Sequence, residues 1–268
     1  MHFFRSFFQY CMVGMIVSII PAAHAQQWHN EPEITAIFKE AGITGTFVLY
    51  QPEQNTFRGT NPQRAKTAYH PASTFKILNS LIAFETGIVH SETEILPYGG
   101  QPQTIKAWEH DMNIAEAMAV SNVPIYQGIA RRIGLEKMAE FVRKSHYGNQ
   151  QIGHQVDNFW LVGPLEISAI EQTRFIQALL KRTLPFSADT IRHLENIVPV
   201  EQGEKGKLFF KTGWAVNQVK PDTGWLVGWV NTNGKNYPFA LNIDMYQDSD
   251  AKQRITLVRA SLKALGLF

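Results

Sequence analysis

Ser73 and Lys76 are the pair of side chains in this sequence best suited to covalent chemistry, in the run Ser73-Thr74-Phe75-Lys76. A serine hydroxyl becomes a nucleophile when a nearby base takes its proton. At the start of a helix, a spacing of three residues puts both side chains on one face, close to free backbone N–H groups. The apolar neighbours of Lys76 predict that it is partly buried, with a lowered pKa. Ser-x-x-Lys alone is frequent by chance, and the alternative is a helix cap followed by a solvated lysine.

A second motif, Lys211-Thr212-Gly213, follows the apolar run Leu208-Phe209-Phe210, which predicts a strand. Gly213 lets a ligand approach the edge of that strand closely, and Lys211 offers a positive charge to a substrate carboxylate. Alone, the motif is equally compatible with a strand that ends in an ordinary turn. A Ser-x-x-Lys helix followed much later by Lys-Thr-Gly on a strand is far more specific, because few architectures place both.

The elements that must position these motifs follow from hydrophobic periodicity. Apolar residues recur at helical spacing from Ser73 to Thr86, and Gly87 stands where that helix is expected to stop. Asn233-Gly234 predicts a tight turn between two strands. Further helices are predicted over residues 113–120, 124–134, 136–144, 168–180 and 252–265, and strands over residues 46–50, 56–58, 207–212, 224–231 and 237–245. Strands at both ends and helices between them predict one antiparallel sheet with a helical insertion.

Residues 1–25 have the pattern of a cleavable signal peptide: Arg5, an apolar stretch over residues 11–20, and the cleavage-site triplet Ala23-His24-Ala25. The alternative, a membrane anchor, needs about 20 apolar residues. We therefore expect a mature protein of residues 26–268, forming one catalytic domain in the periplasm with no membrane contact after cleavage. The only cysteine, Cys11, lies in the removed segment, so the mature chain has no disulfide and no thiol nucleophile.

Composition excludes some partners. The 268 residues are 44% hydrophobic and have a formal charge of +2, with no basic patch of the kind that nucleic-acid binding requires. The nine histidines lack the spacing of a zinc site, so we expect no metal.

Taken together, the motifs resemble the serine β-lactamases and penicillin-binding proteins, and within them the class D (oxacillinase) group. The matching segments, in the family's order, are Pro71 to Lys76, Ser121-Asn122-Val123, Tyr147-Gly148-Asn149, Phe159-Trp160-Leu161, Lys211-Thr212-Gly213, Gly224 to Trp229, and Arg254. Val123 stands where class A enzymes have Asn, which favours class D. Tyr98-Gly99-Gly100 departs from the Trp-Asp-Gly of many relatives, so the resemblance does not define the rim of the site. The resemblance implies an α/β (α+β) fold, with an antiparallel sheet of five to seven strands flanked by helices and a helical subdomain.

The resemblance also implies a mechanism. Lys76 is carboxylated by CO2, and the resulting carbamate is the general base that activates Ser73 and later a water molecule. Trp160 donates its indole N–H to the carbamate, and Ser121 relays a proton to the leaving nitrogen. The backbone N–H groups of Ser73 and Trp214 form the oxyanion hole. CO2 or bicarbonate is needed only as the source of the carbamate, and no other cofactor is implied.

The same resemblance assigns the binding residues and the substrates. Lys211, Thr212, Gly213 and Arg254 hold the substrate carboxylate, although an arginine on a terminal helix is more often a solvated charge. Val120 and Leu161 are apolar gates that limit the access of water to Lys76, and Tyr147 belongs to a turn that shapes the pocket wall. The implied substrates are β-lactams, namely penicillins including oxacillin. The implied oligomeric state is a monomer or a homodimer.

Two alternatives stay open on the sequence. A D,D-peptidase of the cell wall uses the same serine and lysine but deacylates slowly, and it usually has Ser-x-Asn as its second motif. A β-lactam sensor domain resembles class D closely but needs a transmembrane connection. The range of β-lactams depends on residues 214–223 and on the segments near Tyr98 and Trp108.

Overall fold

The computed structural model describes residues 27–268, so the predicted signal peptide lies outside the described residues. Its strands are β1 Gln27–Asn30, β2 Gly45–Gln51, β3 Thr56–Thr60, β4 Ala68–Tyr69, β5 Ile95–Leu96, β6 Met112–Asn113, β7 Ile167–Ser168, β8 Val200–Gln202, β9 Gly206–Ala215, β10 Asp222–Thr232 and β11 Lys235–Met245. Its α-helices are α1 Pro32–Glu40, α2 Pro62–Lys66, α3 Lys76–Glu85, α4 Ile114–Ala119, α5 Val123–Ile133, α6 Leu135–Lys144, α7 Phe159–Val162, α8 Ala169–Leu180, α9 Ala188–Ile197 and α10 Gln253–Ala264. Among these helices, none has the length and apolar character that crossing a bilayer requires.

Seven strands form one sheet in the order β1-β3-β2-β11-β10-β9-β8. Neighbouring strands are antiparallel except β1, which runs parallel to β3. Asn233 and Gly234 both have positive φ, 51° and 73°, as a two-residue hairpin turn between β10 and β11 requires. The mixed α/β fold, with strands from both ends of the chain, confirms the predicted fold class. Its seven-stranded sheet is at the upper end of the predicted range of five to seven strands.

The sheet is buried on both faces because β10 is apolar on both. Trp225, Val227 and Trp229 belong to the hydrophobic core that contains the helical subdomain, whereas Leu226 and Val230 belong to the core under α1 and α10. This alternation is the two-residue period of a strand. The helical subdomain, α3 to α7 and α9, therefore packs against the face from which the Ser-x-x-Lys segment approaches β9.

The predicted helices are found within one residue of their expected bounds, except that the helix predicted from Ser73 begins as a 3-10 helix and becomes α-helical only at Lys76. Their termini explain the agreement. α4 and α8 begin with capping boxes, Asn113 with Glu116 and Ser168 with Glu171, a combination that satisfies backbone N–H groups at a helix start. α3 ends before Gly87, whose φ is +65°. Helices α1, α2, α7 and α9 were not predicted.

Candidate active site

Ser73 lies in a short 3-10 helix, Ala72–Phe75, that leads directly into α3 and is called the Ser73 turn below. Ala72 has a φ of +48°, a conformation that a side chain makes unfavourable and that surrounding structure must impose. Two contacts hold the turn from outside: Gln172 Nε2 of α8 donates to Thr74 Oγ1 at 2.8 Å, and Trp225 Nε1 of β10 donates to the His70 carbonyl at 2.9 Å. The nucleophile is therefore presented by a turn fastened to both α8 and the sheet.

Lys76 is the base candidate, and its side chain is only 1% exposed. Its Nζ lies 2.9 Å from Ser73 Oγ and 5.1 Å from the centre of the Tyr126 ring. Burial, assisted by the charge of Lys211, holds the pKa of Lys76 well below its ordinary value. The predicted burial of Lys76 is thus confirmed, and this burial favours the neutral form of the amine.

Trp160 is completely buried, and its ring stacks on Phe75, the residue before Lys76, with ring centres 5.4 Å apart. The indole Nε1 has no hydrogen-bond partner within residues 27–268. A buried donor without a partner costs about 1–3 kcal/mol, so an acceptor group at this position would remove an existing penalty.

Ser121 and Lys211 are 90 residues apart in the chain and in direct contact: Lys211 Nζ donates to Ser121 Oγ at 3.0 Å and to the Thr212 carbonyl at 3.1 Å. Ser121 lies between α4 and α5 with a φ of +59°, a strained conformation of the kind that clusters at functional sites. Burial, together with the charge of Arg254, lowers the pKa of Lys211 to about 7.

The outer edge of β9 is free beside the Ser73 turn because β8 pairs only with its first half. The Phe210 N–H donates to the Pro199 carbonyl on the β8 side at 3.0 Å. Since strand N–H groups alternate in direction, the N–H of Trp214 also points to this unpaired edge. A Cβ on Gly213 would lie 3.0 Å from the Pro71 carbonyl oxygen, which explains why the close approach of the Ser73 turn requires glycine here.

Arg254 of α10 is not a solvated helix residue. Its Nη1 donates to the Gly213 carbonyl at 2.5 Å and its Nε to the Ala251 carbonyl at 2.8 Å. The guanidinium carbon lies 6.0 Å from the centre of the Trp214 ring, and burial lowers the pKa of Arg254 to about 10. The charge is therefore fixed at the end of β9, as binding a carboxylate requires.

These elements surround a cleft of about 360 Å³. Its lining residues are Ser73, Ile105, Trp108, Val120, Ser121, Val123, Leu161, Thr212, Gly213, Trp214, Val216 and Arg254. No acidic side chain is among them, whereas the guanidinium of Arg254 is, and the amines of Lys76 and Lys211 contact Ser73 and Ser121. The cleft is suited to an anionic ligand that presents a carbonyl to Ser73. Within the described chain, no cluster of His, Cys, Asp or Glu could hold a metal ion.

The predicted binding residue Tyr147 does not line the cleft. Tyr147 is fully buried, donates to Gln172 Oε1 at 3.3 Å and packs edge-on against Phe75. It therefore supports the Ser73 turn from behind and does not contact a ligand in the cleft. Val120 lines the cleft and is 42% exposed, and its role as an apolar gate stays a prediction. Leu161 is half-buried in the cleft wall.

Three residues near the site were not predicted to contribute to it. Tyr126 contributes the aromatic wall of the Lys76 pocket. Asn122 caps α5 and donates to the Trp108 carbonyl at 3.3 Å, which fastens the rim of the cleft to Ser121. Asp222 binds the side chain of Trp214. A signal for Asn122 was available, because Asn followed by Val-Pro is a helix start; the other two depend on long-range packing.

Comparison with known proteins identifies the general class first. Residues 45–263 match the family described as the penicillin binding protein transpeptidase domain, whose members share the serine and lysine arrangement found here. The match spans every motif of the cleft from the Ser73 turn to Arg254.

Closer relatives narrow the class. The chain is 35% identical over 242 residues to β-lactamase OXA-5 of Pseudomonas aeruginosa, covering 90% of this chain and 88% of that protein. It is 36% identical over 253 residues to β-lactamase OXA-48 of Klebsiella pneumoniae, covering 94% and 95%. The class D β-lactamase YbXI from Nostoc has the same fold, with a TM-score of 0.85 at 41% identity, covering 88% of this chain and 99% of that one. FUS-1 (OXA-85), a class D β-lactamase from Fusobacterium nucleatum subsp. polymorphum, also has a TM-score of 0.85, at 36% identity, covering 90% and 100%. This chain belongs to the class D serine β-lactamases.

Proposed function

We propose that this enzyme hydrolyses penicillins, including oxacillin, through an acyl-enzyme on Ser73, with carboxylated Lys76 as the general base, and thereby confers resistance to them. The observation that carries the proposal is the pairing of two buried groups beside Ser73. Lys76 is a neutral-prone amine 2.9 Å from Ser73 Oγ, and Trp160 is an N–H donor without a partner. A carbamate would be attached to the amine of Lys76 and would accept a hydrogen bond from the indole N–H of Trp160.

Addition of CO2 to a neutral lysine amine forms the N–C bond and releases one proton, so the low pKa of Lys76 favours the reaction. When carboxylated, the side chain of Lys76 supplies an anionic oxygen that can accept a proton from Ser73. Trp160 would compensate the desolvation of that anion. The pocket walls, Phe75 and Tyr126, keep bulk water from competing for the same oxygen.

Substrate is held at the end of β9. The N–H groups of Trp214 and Ser73 stabilise the oxyanion that forms when Ser73 attacks the lactam carbonyl. Lys211, Thr212 and Arg254 hold the ring carboxylate by charge and hydrogen bonding. After attack, the lactam nitrogen needs a proton, and Ser121 delivers it, since Lys211 Nζ lies 3.0 Å from Ser121 Oγ and can resupply it.

The test uses purified residues 26–268 with penicillin and oxacillin. We expect fast multiple turnover, lost in Lys76→Ala and increased by bicarbonate after CO2 has been removed. Intact mass should show a penicillin adduct in the wild-type protein but none in Ser73→Ala. Full activity without CO2 would disprove the carbamate, and an adduct in Ser73→Ala would place the nucleophile elsewhere. Acylation with little product release would indicate a peptidase or a sensor.

The proposed location is the periplasm, reached through cleavage after Ala25. This proposal rests on the sequence pattern of residues 1–25. Mass spectrometry of the protein exported by a Gram-negative host should give a chain that begins at Gln26. A full-length chain retained with the inner membrane would contradict it.

A further inference from the structure

The loop of residues 216–221, which joins β9 to β10, borders the cleft but has little apolar burial to hold it. Val216 lines the cleft, and the side chains of Val216 and Val219 are 70% and 80% exposed. Because stabilisation by burial scales with the apolar area removed from water, these side chains contribute little to the loop's conformation. Polar contacts must therefore determine its shape.

Those contacts converge on Asp222, which is 1% exposed at the start of β10. One carboxylate oxygen accepts from the Asn217 N–H at 3.1 Å. The other accepts from Trp214 Nε1 at 2.8 Å and from Lys220 Nζ at 2.5 Å. Burial alone raises the pKa of Asp222, but the hydrogen bonds from Lys220, Trp214 and Asn217 outweigh it and leave the pKa below its ordinary value. Asp222 is thus a buried anion with both oxygens satisfied.

Trp214 connects this anion to the site. Its indole N–H is bound to Asp222, its ring faces the Arg254 guanidinium at 6.0 Å, and its backbone N–H points to the free edge of β9. Arg254 in turn donates to the carbonyl of Gly213, one residue earlier. A rotation of the Trp214 side chain would therefore disturb both the edge N–H and the surface against which Arg254 rests.

We infer that Asp222 is a positioning residue for acylation: it fixes Trp214, and through it the N–H that faces the lactam carbonyl and the arginine that faces the ring carboxylate. The inference rests on the proposed function, since it assigns Asp222 a part in the same acyl transfer. The contact of Asp222 that matters for acylation is the hydrogen bond from the indole N–H of Trp214. The ion pair of Asp222 with the exposed Lys220 is secondary.

The experiment measures the second-order rate of acylation by a fluorescently labelled penicillin, with nitrocefin turnover in parallel. Asp222→Ala should lower the acylation rate by about 10–100-fold, less than complete loss of an oxyanion donor, because the N–H is misplaced rather than removed. Asp222→Asn should lower it less, since its amide oxygen can still accept from Trp214. Lys220→Ala should stay within about threefold of wild type, as expected for an exposed partner. Asp189→Asn, on the surface of α9, is the matched control for loss of a carboxylate.

Trp214→Phe tests the connection, because it removes the indole N–H and keeps a ring. We expect its defect to match that of Asp222→Ala, and the double variant to be no worse than either single one, as for two groups that act as a unit. Additive defects, or wild-type acylation by Asp222→Ala, would overturn the inference. So would a lowered melting temperature with an unchanged acylation rate, since that is a purely structural role. A wild-type protein that is acylated but does not turn over nitrocefin would instead refute the proposed hydrolysis, while the comparison of acylation rates would stand.

Discussion

Replacing Trp160 with Phe tests the contribution of the indole N–H, which has no partner among the described residues. The ring stack on Phe75 would be retained in part, whereas the donor to a Lys76 carbamate would be lost. A hydrogen bond to a charged group contributes about 1.5–3 kcal/mol. At 1.36 kcal/mol per factor of ten, this weakens the affinity of Lys76 for CO2 by roughly 10–150-fold.

The assay is nitrocefin hydrolysis in degassed buffer titrated with bicarbonate. Wild-type protein should reach half of its maximal activity at low bicarbonate, and Trp160→Phe should need roughly 10–150-fold more. Activity at saturating bicarbonate should recover substantially, because the lysine itself is unchanged. A ¹³C-bicarbonate NMR signal from the carbamate should follow the same titration.

The control is Trp229→Phe, which removes another buried indole, one that stacks on Phe209 at 4.8 Å in the sheet. It should reduce thermal stability without changing the bicarbonate requirement. If Trp160→Phe and wild type have the same half-saturating bicarbonate, the assignment of the unpaired N–H to a carbamate is wrong. An equal shift in Trp229→Phe would show that the effect is general loosening of the core.

Three further outcomes are expected. Since burial and the charge of Arg254 lower the pKa of Lys211 to about 7, the cation that attracts substrate is lost as pH rises through this value. The ratio kcat/KM should therefore fall above pH 7, while kcat, which reports the complex with the substrate carboxylate in place, persists to higher pH; a flat kcat/KM up to pH 9 would contradict this. Gly213→Ala places a Cβ 3.0 Å from the Pro71 carbonyl oxygen and should lower kcat/KM about 10–100-fold by displacing the Ser73 turn; wild-type kinetics would show that the turn can yield. Gly128→Ala, in the interior of α5, where a Cβ would meet only the end of the Arg131 side chain at 3.9 Å, should raise the free energy of unfolding by about 0.5–1 kcal/mol in urea denaturation with kcat/KM unchanged; destabilisation would mean that the glycine has a packing role.

The elements that could be predicted are those with local signals. Helix caps at Asn113 and Ser168 and the turn at Asn233-Gly234 involve residues within four positions of one another, so their geometry follows from neighbours in the chain. α1 lacks a side-chain cap at Glu31, so the sequence marks the start of this helix less clearly than it marks the starts of α4 and α8. The parallel pairing of β1 with β3 could not be foreseen, because strand order depends on contacts between distant segments.

The sequence by itself identified the candidate site residues, namely the Ser73-Thr74-Phe75-Lys76 motif and its partners at Ser121, Trp160 and Lys211. Residue types in a characteristic order are sufficient for that, since the reaction constrains which functional groups must be present. The tertiary structure alone decided how these groups act on one another. It placed Lys211 against Ser121 and left the Trp160 N–H without a partner.

It also buried Tyr147 behind the Ser73 turn and bound the indole of Trp214 to Asp222. The physical reason is that burial, and with it the pKa values of Lys76 and Lys211, depends on what packs around a side chain from other elements. Spacing along the chain constrains only the nearest turns of a helix or strand. The packing of the helical subdomain against β9 therefore determines which of these side chains are buried and which groups they contact.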